Sequence, residues 1–173
     1  MKKNVLITGM PGVGKTTLIR RIAERLDGVA GFYTEEIREG GERKGFRLVT
    51  FDGHEQILAH VGIRGPHRVS KYGVDVAGFE KFLAERFDVS RARVVVIDEI
   101  GKMECSAPAF VEKARGILDS PVPAVFTIAK IGGGFIAEAK ARADVEIHEV
   151  TRANRDELAS AILSGIKTAA KGV

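Results

Sequence analysis

Short apolar runs and amphipathic stretches alternate along the chain. Val5–Thr8 is a brief β-branched run and reads as a buried strand. Leu18, Ile19, Ile22, Ala23 and Leu26 then recur three and four positions apart, one face of a helix that Gly28 closes. Gly31–Arg38 and Lys44–Phe51 are strand-like around a Gly40-Gly41 turn, and Glu55–Val61 extends this antiparallel group. Gly62–Gly73 reads as loop, and Gly78–Phe87 as a helix with Phe79, Phe82 and Leu83 on one side. Val94–Ile97 is continuously apolar, as a parallel strand covered on both faces requires. Ser106 is placed to cap a helix reaching about Leu118, with Pro108 in its first turn. Val122–Ile128 is a further strand, followed by a Gly132–Gly134 break and a short helix. Val145–Val150 is the last strand, and Arg155–Ala170 a closing helix with Leu158, Ala161, Ile162 and Ile166 as its apolar side.

This alternation predicts an α/β fold: helices on both faces of a mainly parallel central sheet, with an inserted antiparallel hairpin. No repeat, low-complexity tract or linker divides the sequence, so residues 1–173 are expected to form a single domain around one core.

Composition narrows the class. With 45% hydrophobic and 29% charged residues, the chain is too apolar to be disordered. Its net charge of +4 suits an anionic partner, and a polyphosphate suffices; nucleic acid is permitted by the charge but supported by no motif. Cys105 is the only cysteine, which excludes an internal disulfide and a multi-cysteine metal site and fits a reducing cytoplasm. Cys105 itself reads as a small buried apolar residue. His54, His60, His67 and His148 show no ligand spacing. The apolar stretch after Met1-Lys2-Lys3 stops at Ile7, short of a signal core, and no run reaches the length of a membrane span. A cytoplasmic protein, with a monomer favoured, is the expectation.

The chemistry begins at Gly9-Met10-Pro11-Gly12-Val13-Gly14-Lys15-Thr16, which matches G-x-x-x-x-G-K-[ST] between a strand and a helix. Phosphate oxygens must be approached by several backbone N–H groups, and glycine leaves such a loop unobstructed. The following helix adds unpaired N–H groups and positive dipole. Gly9 through Thr17 are therefore the expected nucleotide-binding segment, with Lys15 on the β/γ oxygens and the Thr16 hydroxyl on Mg²⁺.

Val94–Ile97 ends in Asp98-Glu99. Two acids after a strand are ordinary punctuation on their own. Beside a phosphate loop, on a strand expected to neighbour the loop-bearing one, Asp98 reads as a Mg²⁺ holder through water and Glu99 as the base for an attacking water. An adjacent base weighs for hydrolysis, because a kinase must keep water out.

Other candidates are weaker. Arg64, Arg68, Arg142 and Arg155 could neutralise charge on a transferred phosphoryl group, though each also reads as a surface residue. Lys130–Gly134 reads equally as a lid or an ordinary loop. Glu35 and Glu36 could meet a second substrate, but flanking a sheet edge is the simpler reading. Asn154 could hydrogen-bond a base edge and Arg155 stack on it; Asn154 as a helix N-cap is as good a reading. Two alternatives to an NTP hydrolase stay open. One is a nucleoside, nucleotide or polynucleotide kinase. The other is a nucleotide-dependent switch, weakened by Asn154-Arg155-Asp156-Glu157 where a guanine signature would have Asn-Lys-x-Asp.

Several segments together resemble a known family. They are Ile7–Ile19, Gly31–Arg38, Gly45-Phe46, Lys71–Asp75, Val96–Glu104 and Thr151–Asp156. The sequence is similar over nearly its whole length to the small nucleoside-triphosphatases first described in thermophilic prokaryotes, with a vertebrate cancer-related relative. The resemblance implies a RecA-like or kinase-like P-loop fold and slow, Mg²⁺-dependent hydrolysis of several NTPs to NDP and phosphate. Lys130–Phe135 departs from the family, whose members tend to carry a proline- and lysine-containing stretch there.

Overall fold

The computed structural model describes residues 2–170. In chain order the elements are β1 (Asn4–Thr8), α1 (Lys15–Ala23), β2 (Val29–Glu39), β3 (Glu42–Thr50), β4 (Glu55–His60), β5 (Arg68–Val69), β6 (Tyr72–Val74), α2 (Val76–Glu85), β7 (Val94–Ile100), a 3-10 turn (Glu104–Ser106), α3 (Pro108–Asp119), β8 (Ala124–Ile128), α4 (Phe135–Ala141), β9 (Val145–Glu149) and α5 (Arg155–Ala169).

The strands form one sheet in the order β5-β6-β4-β3-β2-β7-β8-β1-β9. Pairings from β2 to β9 are parallel, and those from β2 to β5 antiparallel. The sheet is therefore mixed, which corrects the expectation of a mainly parallel sheet with one inserted hairpin. The physical reason lies in β2. Its residues Val29–Phe32 run parallel to β7, and Phe32–Glu39 then pair antiparallel with β3 on the other edge. An eleven-residue strand overshoots the parallel half and carries a whole antiparallel extension with it. Part of that extension, β5 and the first two residues of β6, falls inside the expected Gly62–Gly73 loop; strands of two and three residues are too short to show periodicity.

A second correction concerns neighbours. β7 does not lie beside β1, because β8 sits between them. Two local readings also change. Ala107, not Ser106, precedes α3, and the Ser106 hydroxyl donates to the Lys102 carbonyl (2.9 Å). On α5, Ala161 is exposed and Ala159 packs inward with Leu158, Ile162 and Ile166.

Helices cover both faces, as the alternation predicts. Phe32, Phe79, Phe82, Phe110 and Phe126 fill the side under α2 and α3, while Ile7, Leu18, Ile19, Val96, Ile162 and Ile166 fill the side under α1 and α5. Phe32 makes edge contacts with Phe79 (6.2 Å between centroids) and Phe87 (5.4 Å). Such pairs add about 0.5–1.5 kcal/mol each beyond burial. They fix β2 at the point where it changes partners.

Candidate active site

The loop Gly9–Gly14 leaves β1 and enters α1. Gly14 stands at the helix N-cap with φ 102°, a left-handed conformation that side chains resist. Arg155 closes in behind it: a Cβ on Gly14 would lie 3.4 Å from Arg155 Nη1. The Lys15 ammonium donates to the carbonyls of Gly9 (3.0 Å) and Met10 (3.4 Å), placing its charge at the mouth of the loop.

Asp98 is the hub beside this loop. The Thr16 hydroxyl donates to its Oδ2 (2.6 Å), the Thr34 backbone N–H reaches the same oxygen (3.3 Å), and the Thr127 hydroxyl donates to Oδ1. The Thr34 hydroxyl donates to the Asp98 carbonyl (2.7 Å). Thr127 lies one residue before the end of β8, so the strand that separates β7 from β1 supplies one of the bonds to Asp98. Burial pushes the Asp98 carboxyl up from its usual range, and bonds from Thr127, Thr16 and Thr34 pull the other way. The oxygen donors of Thr16 and Asp98, with no sulfur or imidazole, suit a hard cation such as Mg²⁺.

Glu99 follows on the same strand. Its carboxyl is raised by burial and then by the Asp98 charge, against the pull of Lys15. Glu104, a buried carboxyl not singled out from sequence, converges on it: a Cβ on Gly101 would lie 2.8 Å from both Glu99 Oε1 and Glu104 Oε2. Burial, then the Glu99 charge, hold Glu104 well above the carboxylate range. The signal available in the sequence was a third acid five positions past Glu99, between Met103 and Cys105.

A cleft of about 750 Å³ opens over these groups, lined by Gly9–Gly12 and Gly14–Thr16 on one side and by Thr34, Glu36, Arg43 and Phe46 on another, with Glu99 and Ala129–Ile131 between. A sequence model of the NTPase family matches residues 4–163, which contain every one of these positions. The chain belongs to the NTPase family. It is 43% identical over 165 residues to nucleoside-triphosphatase THEP1 of Thermotoga sp. (strain RQ2), covering 94% of this chain and 95% of the other. It is 37% identical over 190 residues to the human cancer-related nucleoside-triphosphatase, covering 99% and 100%. Its fold matches the crystal structure of THEP1 from the hyperthermophile Aquifex aeolicus with a TM-score of 0.82, at 34% identity over 94% of this chain and 98% of that one.

Around this cleft the remaining sequence candidates sort clearly. Val13 packs into the core and Thr17 is exposed on the first turn of α1; neither lines the cleft. Glu35 and Glu36 point to opposite faces of β2 beyond Phe32, where the strand pairs with β3 alone, so they do lie along an open edge of the sheet. Glu36 lines the cleft, and Glu35 pairs with Arg47 (2.8 Å) behind it. Asn154 precedes α5 without capping it; its Oδ1 accepts from Thr151 N–H (2.8 Å) and its Nδ2 donates to the Glu149 carbonyl (3.0 Å). Arg142 is held between Asp119 and Asp144 at 2.8 Å each, and Arg64 and Arg68 lie exposed near β5; none of the three lines the cleft. Lys130 and Ile131 do line it, with Lys130 paired to Glu149 (2.6 Å) and Lys140 donating to the carbonyls of Ala129 and Lys130. Among the described residues no helix is long and apolar enough to cross a membrane.

Proposed function

We propose that this chain hydrolyses nucleoside 5'-triphosphates to NDP and phosphate, on a P-loop fold and with Mg²⁺. The observation that carries the reading is the convergence of Lys15, Thr16 and Glu99 at one cleft, with the buried Asp98 bonded to Thr16 beside it. The Gly9–Gly14 backbone and the start of α1 cradle the phosphates. Lys15 holds the β- and γ-phosphate oxygens. Thr16 and Asp98 would hold Mg²⁺, which when bound neutralises charge on those oxygens. Glu99 orients a water in line with the γ-phosphorus and takes its proton. The water oxygen bonds to phosphorus, the bond from phosphorus to the β–γ bridging oxygen breaks, and NDP leaves with that oxygen. The proton passes from Glu99 to solvent. The Asn154 amide is occupied by backbone groups and reads little of a base, which supports use of ATP, GTP, CTP and UTP alike. The relatives' names point the same way.

The test is phosphate release from the four NTPs with Mg²⁺ and no acceptor. Wild type is expected to turn over several of them. Lys15→Ala should lose binding and turnover together. Glu99→Gln should keep nucleotide binding while kcat falls about 10²–10⁴-fold. Because the Glu99 carboxyl is raised, the acid limb of the kcat profile should lie above the ordinary glutamate range. Wild-type protein that binds NTP and releases no phosphate would overturn the reading, and phosphate found instead on an added nucleoside or polynucleotide would replace it with a kinase.

A further inference from the structure

The β2–β3 ladder contains a bulge. Glu36 pairs with Phe46 and Ile37 with Gly45, but Arg38 pairs with Arg43, leaving Lys44 over. Side chains three apart on a regular strand face opposite ways. The extra residue turns Arg43 onto the face of Phe46, the re-aiming that bulges produce. Directly opposed residues share a face. Glu36, Arg38, Phe46 and Arg43 therefore all project to one side, and Glu36, Phe46 and Arg43 line the cleft with Lys15, Thr16 and Glu99.

Arg43 is held in place there. Its Nε donates to the Tyr72 hydroxyl (2.9 Å), its Nη1 donates to Glu36 Oε1 (2.8 Å), and its guanidinium lies 5.2 Å from the Phe46 ring centroid. Nη2 donates to no protein group among the described residues. Glu36 also accepts from Arg38 Nε (2.8 Å), so two arginines share one carboxylate and the trio keeps a net positive charge. Apart from Lys15 in the loop, the other cation lining the cleft is Lys130, which is paired with Glu149. None of Arg64, Arg68 and Arg142 reaches the cleft wall.

We propose, resting on the hydrolase reading, that Arg43 contacts the γ-phosphoryl group and stabilises the charge that develops on its oxygens and on the bridging oxygen as the bond breaks. Glu36, Tyr72 and Phe46 position it. A planar guanidinium with free N–H groups suits that task, and a preset one loses little on use.

The test compares Arg43→Ala and Arg43→Lys with wild type by phosphate release, by affinity for NDP with Mg²⁺, and by trapping of NDP with aluminium fluoride, which mimics the transferring group. The Arg43 side chain is half-exposed, so truncation spares the core, and a thermal melt checks the fold. Both variants should bind NDP as wild type does, lose about 10²-fold or more in kcat, and trap NDP–aluminium fluoride poorly. Added guanidinium ion should restore part of the Arg43→Ala rate. Wild-type turnover and trapping in both variants would overturn the role of Arg43 alone. Wild-type protein that neither releases phosphate nor traps the complex would overturn the hydrolase reading and this assignment with it.

Discussion

The Thr16 hydroxyl donates a 2.6 Å hydrogen bond to Asp98 Oδ2 across a sequence separation of 82 residues. The contact joins the first turn of α1 to the end of β7 and puts two oxygen donors side by side. Asp98→Asn should raise the Mg²⁺ concentration needed for half-maximal phosphate release about 10–100-fold. Thr16→Val should do the same. Titration of activity against Mg²⁺ checks both; an unchanged Mg²⁺ requirement in either variant removes that residue from the metal site.

Glu104 carries a pH prediction. Its folded-state carboxyl binds a proton more tightly than its unfolded one, because burial and the Glu99 charge oppose ionisation. The stabilisation is complete below the unfolded value of 4.5 and is lost as pH rises through the folded one. Asp98 and Glu99 shift in the same direction. Wild-type Tm should therefore fall as pH climbs above the ordinary carboxylate range. Glu104→Gln should flatten part of that fall and melt higher near neutrality, by about 2–4 °C for each 1 kcal/mol relieved. The two proteins should converge near pH 4. A parallel Tm profile for both would contradict the assignment.

Cys105 adjoins this acidic group and packs against the core. Burial, then the Glu104 and Glu99 charges, push its thiol up to about 12. At pH 8 its thiolate fraction is roughly 10³-fold below that of an ordinary cysteine, so iodoacetamide should label the native chain at a correspondingly low rate. Labelling should become fast once the chain is unfolded. Mass spectrometry over time distinguishes the two, and rapid labelling of native protein would show that the site is open.

Gly31 is fixed by steric contact. A Cβ there would sit 1.7 Å from the Val96 carbonyl oxygen, at φ 144°. Gly31 and Val96 pair in the β2–β7 ladder, so no side chain can move aside. Gly31→Ala should destabilise by about 3 kcal/mol or more, read from the urea midpoint. A midpoint within error of wild type would mean that the two strands can separate there at little cost.

The local sequence decided what depends on neighbouring residues. The Gly9–Thr16 loop, the helix that opens at Lys15, the β-branched run ending in Asp98-Glu99 and the Gly40-Gly41 hairpin all appear where spacing and residue type put them, because each is set by backbone freedom or periodicity over a few positions. Strand order is not set that way. Parallel strands are joined by crossovers of many residues, and nothing within Val94–Ile100 says that β8 will lie between it and β1. Only the folded chain brings Thr127 and Thr34 to Asp98, turns Glu104 toward Glu99, and spends the Asn154 amide on its own turn. Arg43 shows the same division most sharply. Alternation alone would aim it away from the Phe46 face; one bulged residue, Lys44, reverses it, and the register shift that does so exists only once β2 and β3 have paired.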